Sequence, residues 1–133
     1  MYTFHMWIVL RDSTVEDDDS VIWSKLKVLR PLFRERFGWS SSRNDDDPIV
    51  ITNGMVILNT SVCTNHRGVA HANLLETLSW IGAELPGSYG VVYWQDDEDA
   101  ATANRFELIV MKRGRLEHTS DEHLSPVNPS IED

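Results

Sequence analysis

The chain is short of the residues that several common function classes need. It holds a single cysteine, Cys63, in 133 residues, which excludes an intrachain disulfide and cannot by itself build a thiolate metal site. Long apolar runs are missing too. The longest, Met6 to Leu10, is far too short to span a bilayer or to form a signal-peptide core, so a cytosolic protein is expected. Positive charge is scarce: 12 Lys and Arg stand against 21 Asp and Glu, a formal net charge of -9. Such a surface repels nucleic-acid phosphates and anionic lipid and favours a basic protein or a bound cation. The nucleophile elbow GxSxG, the Walker phosphate loop and the dinucleotide fingerprint are all absent. His66 and His71 are five apart and do not form the one-turn pair of a zinc-binding helix. With no internal repeat and no low-complexity linker, residues 1–133 read as one domain, and no cofactor is expected.

What is present is a globular balance, 41% hydrophobic and 25% charged. The segment that organises it is Gly87 to Asp99, GSYGVVYWQDDED. Its glycines signal a turn, and Tyr89 to Trp94 is β-branched and aromatic, the composition of a strand buried on both faces. Asp96, Asp97, Glu98 and Asp99 then follow as a carboxylate run expected to be exposed, because burying unpaired carboxylates is costly.

The other elements follow from periodicity. Tyr2 to Arg11 predicts a strand with Tyr2, Phe4, Met6, Ile8 and Leu10 on one face. His5, mid-strand with no partner nearby in sequence, reads as structural rather than as a ligand or acid/base. The acidic run Glu16 to Asp19 suits the first turn of a helix, in which Ile22, Leu26, Leu29, Phe33 and Phe37 form an apolar stripe. Lys25, Lys27, Arg30, Arg34 and Arg36 make its outer surface basic, Pro31 predicts a kink or break, and Gly38 a stop. Trp39 to Pro48 reads as a polar loop. Its aspartates Asp45, Asp46 and Asp47 lack the spacing and glycine of an EF-hand. Ile49 to Asn53 and Met55 to Val62 are strands joined at Asn53-Gly54, a strong hairpin signal. A second helix is expected over Val69 to Glu84, with Val69, Ala72, Leu75, Leu78 and Ile81 inward and Leu74 and Trp80 widening the stripe. Phe106 to Arg113 is a further strand. Arg115 to His118 leaves room for a short last one, and the polar stretch from Thr119 has the composition of a flexible tail. The order β-α-β-β-α-β-β predicts an α+β fold, two helices on a largely antiparallel sheet.

The chemistry admits two readings. Clustered carboxylates at Asp96 to Asp99 can hold magnesium and support a metal-dependent hydrolase, although neighbouring side chains diverge and seldom converge on one ion. Cys63 near His66 suggests a thiolate pair, but a buried free cysteine at a strand end is commoner. The alternative is recognition: a negative cluster steers a basic partner, with Trp94, Trp80, Trp39 and Tyr93 as aromatic anchors. An acidic adaptor domain for some other basic partner fits the same features.

Several segments together resemble the immunity protein 7 family of bacterial polymorphic toxin and contact-dependent growth inhibition systems. They are His5 and Trp7, the NHRG of Asn65 to Gly68, the Gly87 to Asp99 segment, Asn104 and Phe106, Lys112 to Gly114, and LSPVNPSIED from Leu124 to Asp133. The family pattern differs at Met6, where glycine is expected, and at Val127-Asn128, where Cys-Ile is expected. The resemblance implies a non-enzymatic antitoxin that binds a cognate toxin domain, a basic nuclease in the reading that composition favours, one to one. The candidate toxin-binding residues are Asp96, Asp97, Glu98, Asp99 and Trp94, then Asp45, Asp46, Asp47 and Trp39. It also implies that the tail packs back on the domain.

Overall fold

A computed structural model describes residues 1–16, 18–37 and 47–126. Strand β1 (Tyr2–Leu10) is followed by helix α1 (Asp19–Phe37), the hairpin β2 (Ile49–Thr52) and β3 (Met55–Thr64), and helix α2 (Ala70–Glu84). Strands β4 (Tyr89–Asp96), β5 (Glu107–Lys112) and β6 (Arg115–Ser120) complete the chain of elements. All six strands join one sheet in the order β2-β3-β1-β4-β5-β6, and every pairing is antiparallel. This is the predicted α+β architecture, with β6 a full strand reaching Ser120.

Both helices cover the same face. Tyr2, Phe4, Met6, Ile8 and Leu10 of β1 meet Ile22, Leu26, Leu29 and Phe33 of α1 and Leu74, Leu78 and Ile81 of α2 in one buried cluster. The alternation in β1 thus orients the sheet correctly. Asp18 caps α1: the Ser20 amide donates to its Oδ1 at 2.9 Å, and the Ser20 hydroxyl donates to the same oxygen. These bonds hold the Asp18 carboxyl below its usual range.

Three expectations are corrected here. Pro31 does not break α1, which runs on to Phe37; its ring is exposed and it forfeits one backbone donor in a helix anchored by four buried apolar residues on both sides of it. The inward face of α2 is Ala70, His71, Leu74, Thr77, Leu78 and Ile81, while Val69 and Ala72 face solvent. A stripe repeating every third residue drifts around a helix of 3.6 residues per turn, and the straight face follows mixed steps of three and four. Strand β4 is buried on one face only, its other side half exposed, because none of the described elements covers the far side of the sheet. Gly38 lies outside the described residues.

Two hairpins turn on two residues each. Asn53 and Gly54 have φ of 49° and 74°, and Arg113 and Gly114 have φ of 51° and 71°, the positive values of a type I′ turn. Asparagine tolerates this region readily; arginine does so at a steric cost. The second turn is also wedged. A Cβ on Gly114 would lie 2.6 Å from the Gly82 carbonyl oxygen, and the Gly114 amide donates to the Ser88 carbonyl at 3.0 Å. The turn therefore lies backbone to backbone on α2.

Candidate functional site

The β1–β4 register sets Tyr2 opposite Asp96, so the carboxylate run leaves the sheet beside the start of the chain. The loop is ordered by its own polar groups. The Glu98 amide donates to Asp96 Oδ1 at 3.1 Å, the Ala101 amide to Asp99 Oδ1 at 2.9 Å, and the Thr102 hydroxyl to the Asp96 carbonyl at 3.1 Å. Cations then reach it from two other segments. The Met1 amino group pairs with Asp97 and lies 3.8 Å from Glu98 Oε1. His66 Nδ1 is 2.8 Å from Glu98 Oε1, and Arg67 Nη1 lies 3.9 Å from Asp96 Oδ2 and 3.8 Å from Asp99 Oδ2. The hydrogen bond to Asp97 raises the pKa of the Met1 amino group.

Beneath the loop is a buried aromatic seat. The Arg67 guanidinium stands 5.5 Å from the Trp94 ring centre. His71 also packs against that indole at 4.3 Å between centroids and lies 2.7 Å, Nδ1 to Oη, from Tyr2. Burial pushes the Tyr2 phenol well above its usual range. Burial, with Arg67 and His118 nearby, brings His71 down to about 4. Both groups are therefore neutral near pH 7, and the phenol O–H can donate to the imidazole Nδ1.

This arrangement revises several sequence-based expectations. Asp96 is not exposed: it is 5% accessible and points inward toward Arg67. Trp94 is buried too, a floor for the loop rather than a contact surface. Asp97 and Glu98 are exposed and Asp99 half exposed. Asp47 pairs with Arg30 at 3.4 Å and accepts from the Ile49 amide at 3.0 Å; Asp45, Asp46 and Trp39 lie outside the described residues. Trp80 packs half-buried against the core, and Tyr93 is half exposed on the open sheet face. Cys63 is exposed rather than buried, because its position alternates onto that open face. His5, on the same face, lies 2.8 Å from the Ser61 hydroxyl. The four carboxylates are drawn in pairs, Asp96 and Asp99 to Arg67 and Asp97 and Glu98 to the Met1 amino group, and among the described residues no group of three His, Cys, Asp or Glu is placed to hold a metal ion. Sequence reasoning missed the contributions of His66, Arg67 and Met1. The NHRG segment was a motif without a role, and nothing local shows that it closes on a loop thirty residues further on.

The tail is organised through Asp121, which is buried. Its Oδ2 accepts from the Leu124 amide at 2.6 Å and the Ser125 amide at 3.1 Å, while the Ser125 hydroxyl accepts from the Phe106 amide at 3.0 Å. As far as Pro126 the segment is therefore packed on the domain rather than free.

A family model described as immunity protein 7 matches residues 1–133, the whole chain. The chain belongs to the immunity protein 7 family. Comparisons with curated proteins and with solved structures yield no match. Membership makes this an immunity protein, an antitoxin whose partner is a cognate toxin protein. Within that family setting the NHRG–DDED junction is a structural unit: two sequence motifs bonded to each other, with exposed carboxylates left on the outside.

Proposed function

We propose that this immunity protein neutralises a cationic toxin domain of the nuclease class by one-to-one binding, and that Asp97, Glu98 and Asp99 form the first surface the toxin meets. The observation that carries the reading is the construction of the loop. Its exposed carboxylates are held by fixed backbone and cation partners, yet the four carboxylates Asp96 to Asp99 outnumber the two permanent cations, the Met1 amino group and Arg67, that face them. A rigid negative patch on a protein of net charge -9 attracts a basic partner and needs little reordering on binding. Such a patch also presents oxygens in the manner of the phosphates that a nuclease seeks.

The test is co-expression with the toxin domain encoded by the gene immediately upstream. Growth rescue and a co-eluting complex are expected. Asp97→Lys/Glu98→Lys/Asp99→Lys should slow association roughly tenfold or more at low salt, with the difference shrinking as salt rises. Protection should survive chelation, which separates this reading from a metal-dependent hydrolase. Absence of both rescue and complex would refute it.

A further inference from the structure

The acidic loop occupies one end of the sheet, and the β5–β6 turn at the opposite end carries three cations. Strand β4 runs from Tyr89 to Asp96, roughly 24 Å at the usual rise per residue. Because Gly90 pairs with Met111, the β5–β6 turn Lys112-Arg113-Gly114-Arg115 comes to lie at the Tyr89 end. Five cations elsewhere are paired: Lys25 with Glu84, Arg30 with Asp47, Arg36 with Glu76, Arg67 with Asp96 and Asp99, and Arg105 with Glu107. Lys112, Arg113 and Arg115 form no ion pair among the described residues. With Thr14, Pro86 and Glu117 they line an open cleft of about 540 Å³. A second hollow, of about 350 Å³, shares Lys112 and Arg113 and reaches Tyr89.

Three features make this end more than a solvated rim. The cations sit on a turn wedged against α2, with the Gly114 amide bonded to Ser88, so their backbone is fixed before any partner arrives. Arg113 occupies a positive-φ position, φ 51°, where asparagine or glycine is the usual choice. The cluster also borders an exposed aromatic pair on the uncovered sheet face: Trp7 and Tyr89, each 39% accessible, lie edge to face with centroids 6.2 Å apart. An aromatic anchor beside fixed guanidinium groups is the composition of an interface hot spot.

The geometry points to a second docking surface, Lys112, Arg113 and Arg115 with Tyr89 and Trp7, that takes an acidic segment of the toxin protein. The occupant follows from charge. Three cations that pair with no carboxylate among the described residues call for carboxylates, which arginine binds in a fork, and the apolar ring pair favours a protein segment over a free anion. A nucleic acid would meet this small patch on a chain of net charge -9, whose field opposes a polyanion. Toxin recognition is then two-ended: the acidic loop steers the cationic part of the toxin, and the basic end clamps an acidic part. This rests on the antitoxin reading above.

The experiment uses the complete chain and the toxin domain encoded upstream. The purified complex is treated with a carbodiimide, which joins ammonium groups to carboxylates in contact, and association is measured with Lys112→Glu/Arg115→Glu and with Arg113→Asn. A Lys112 amide to a toxin Asp or Glu is expected, with at least tenfold weaker binding for the double reversal. Arg113→Asn should bind several-fold more weakly while melting no lower than the parent, since asparagine suits the turn; this separates binding from folding. A complex that forms normally with both variants and gives no Lys112 crosslink overturns the proposal and leaves the antitoxin reading standing. Failure of the parent chain to bind or protect removes that reading and this one with it. Self-association of the chain alone, abolished by the reversal, would also overturn it by making the occupant a second copy.

Discussion

Tyr2 Oη lies 2.7 Å from His71 Nδ1, and this bond ties the central strand to α2 directly beneath the acidic loop. Tyr2 is fully buried and His71 nearly so, so removing the phenol takes away the ring nitrogen's hydrogen-bond partner in a buried setting. Tyr2→Phe should therefore destabilise the protein by about 1–3 kcal/mol, the cost of an unsatisfied buried acceptor. A urea midpoint equal to that of the parent would show that the bond contributes nothing net.

The same pair makes stability depend on pH. His71 has a folded pKa of about 4, lowered from the ordinary histidine value of 6.5 mainly by burial, with Arg67 and His118 lowering it further and Asp96 opposing them. Between those values the unfolded chain binds a proton that the folded one refuses. This contribution is thus complete above pH 6.5 and is lost as pH falls toward 4, by at most roughly 3 kcal/mol. Melting curves between pH 7 and 4 should show the decline, and His71→Gln should flatten it.

Gly82→Ala should destabilise although it lies in a helix. The substitution normally favours a helix by about 1 kcal/mol. Here the new Cβ would overlap the Gly114 carbonyl, whose turn lies against α2. A net loss of about 1–3 kcal/mol is expected, read as a lower denaturant midpoint.

Leu29 and Leu78 are both fully buried on the helix-covered face. Truncating either to alanine should cost about 2–5 kcal/mol. An unchanged urea midpoint would remove that residue from the core.

The Asp121–Ser125 bonds give the tail a measurable role. Deleting residues 124–133 removes the Ser125 hydroxyl from the Phe106 amide and two amides from Asp121. A loss of about 1 kcal/mol, comparable to that of a lost helix cap, should lower Tm by a few degrees. An unaltered melting curve would show the packing to be inconsequential.

Much of this molecule was legible without coordinates. The alternation of Tyr2 to Leu10, the 22–26–29–33 stripe of α1 and the Asn53-Gly54 turn each record a local period or a local φ requirement, and each names its element correctly. Family membership was likewise readable from scattered short motifs. What tertiary structure alone decided is the meaning of the charges. Asp96 is buried beside Arg67, which reaches it, whereas Lys112, Arg113 and Arg115 pair with no described carboxylate. Trp94 became a floor and Trp7 a surface through their places on opposite sides of one sheet. Periodicity is a property of a single segment. Whether a charge or a ring is satisfied depends on what the other strands and helices bring within a few ångströms, and only the folded chain determines that.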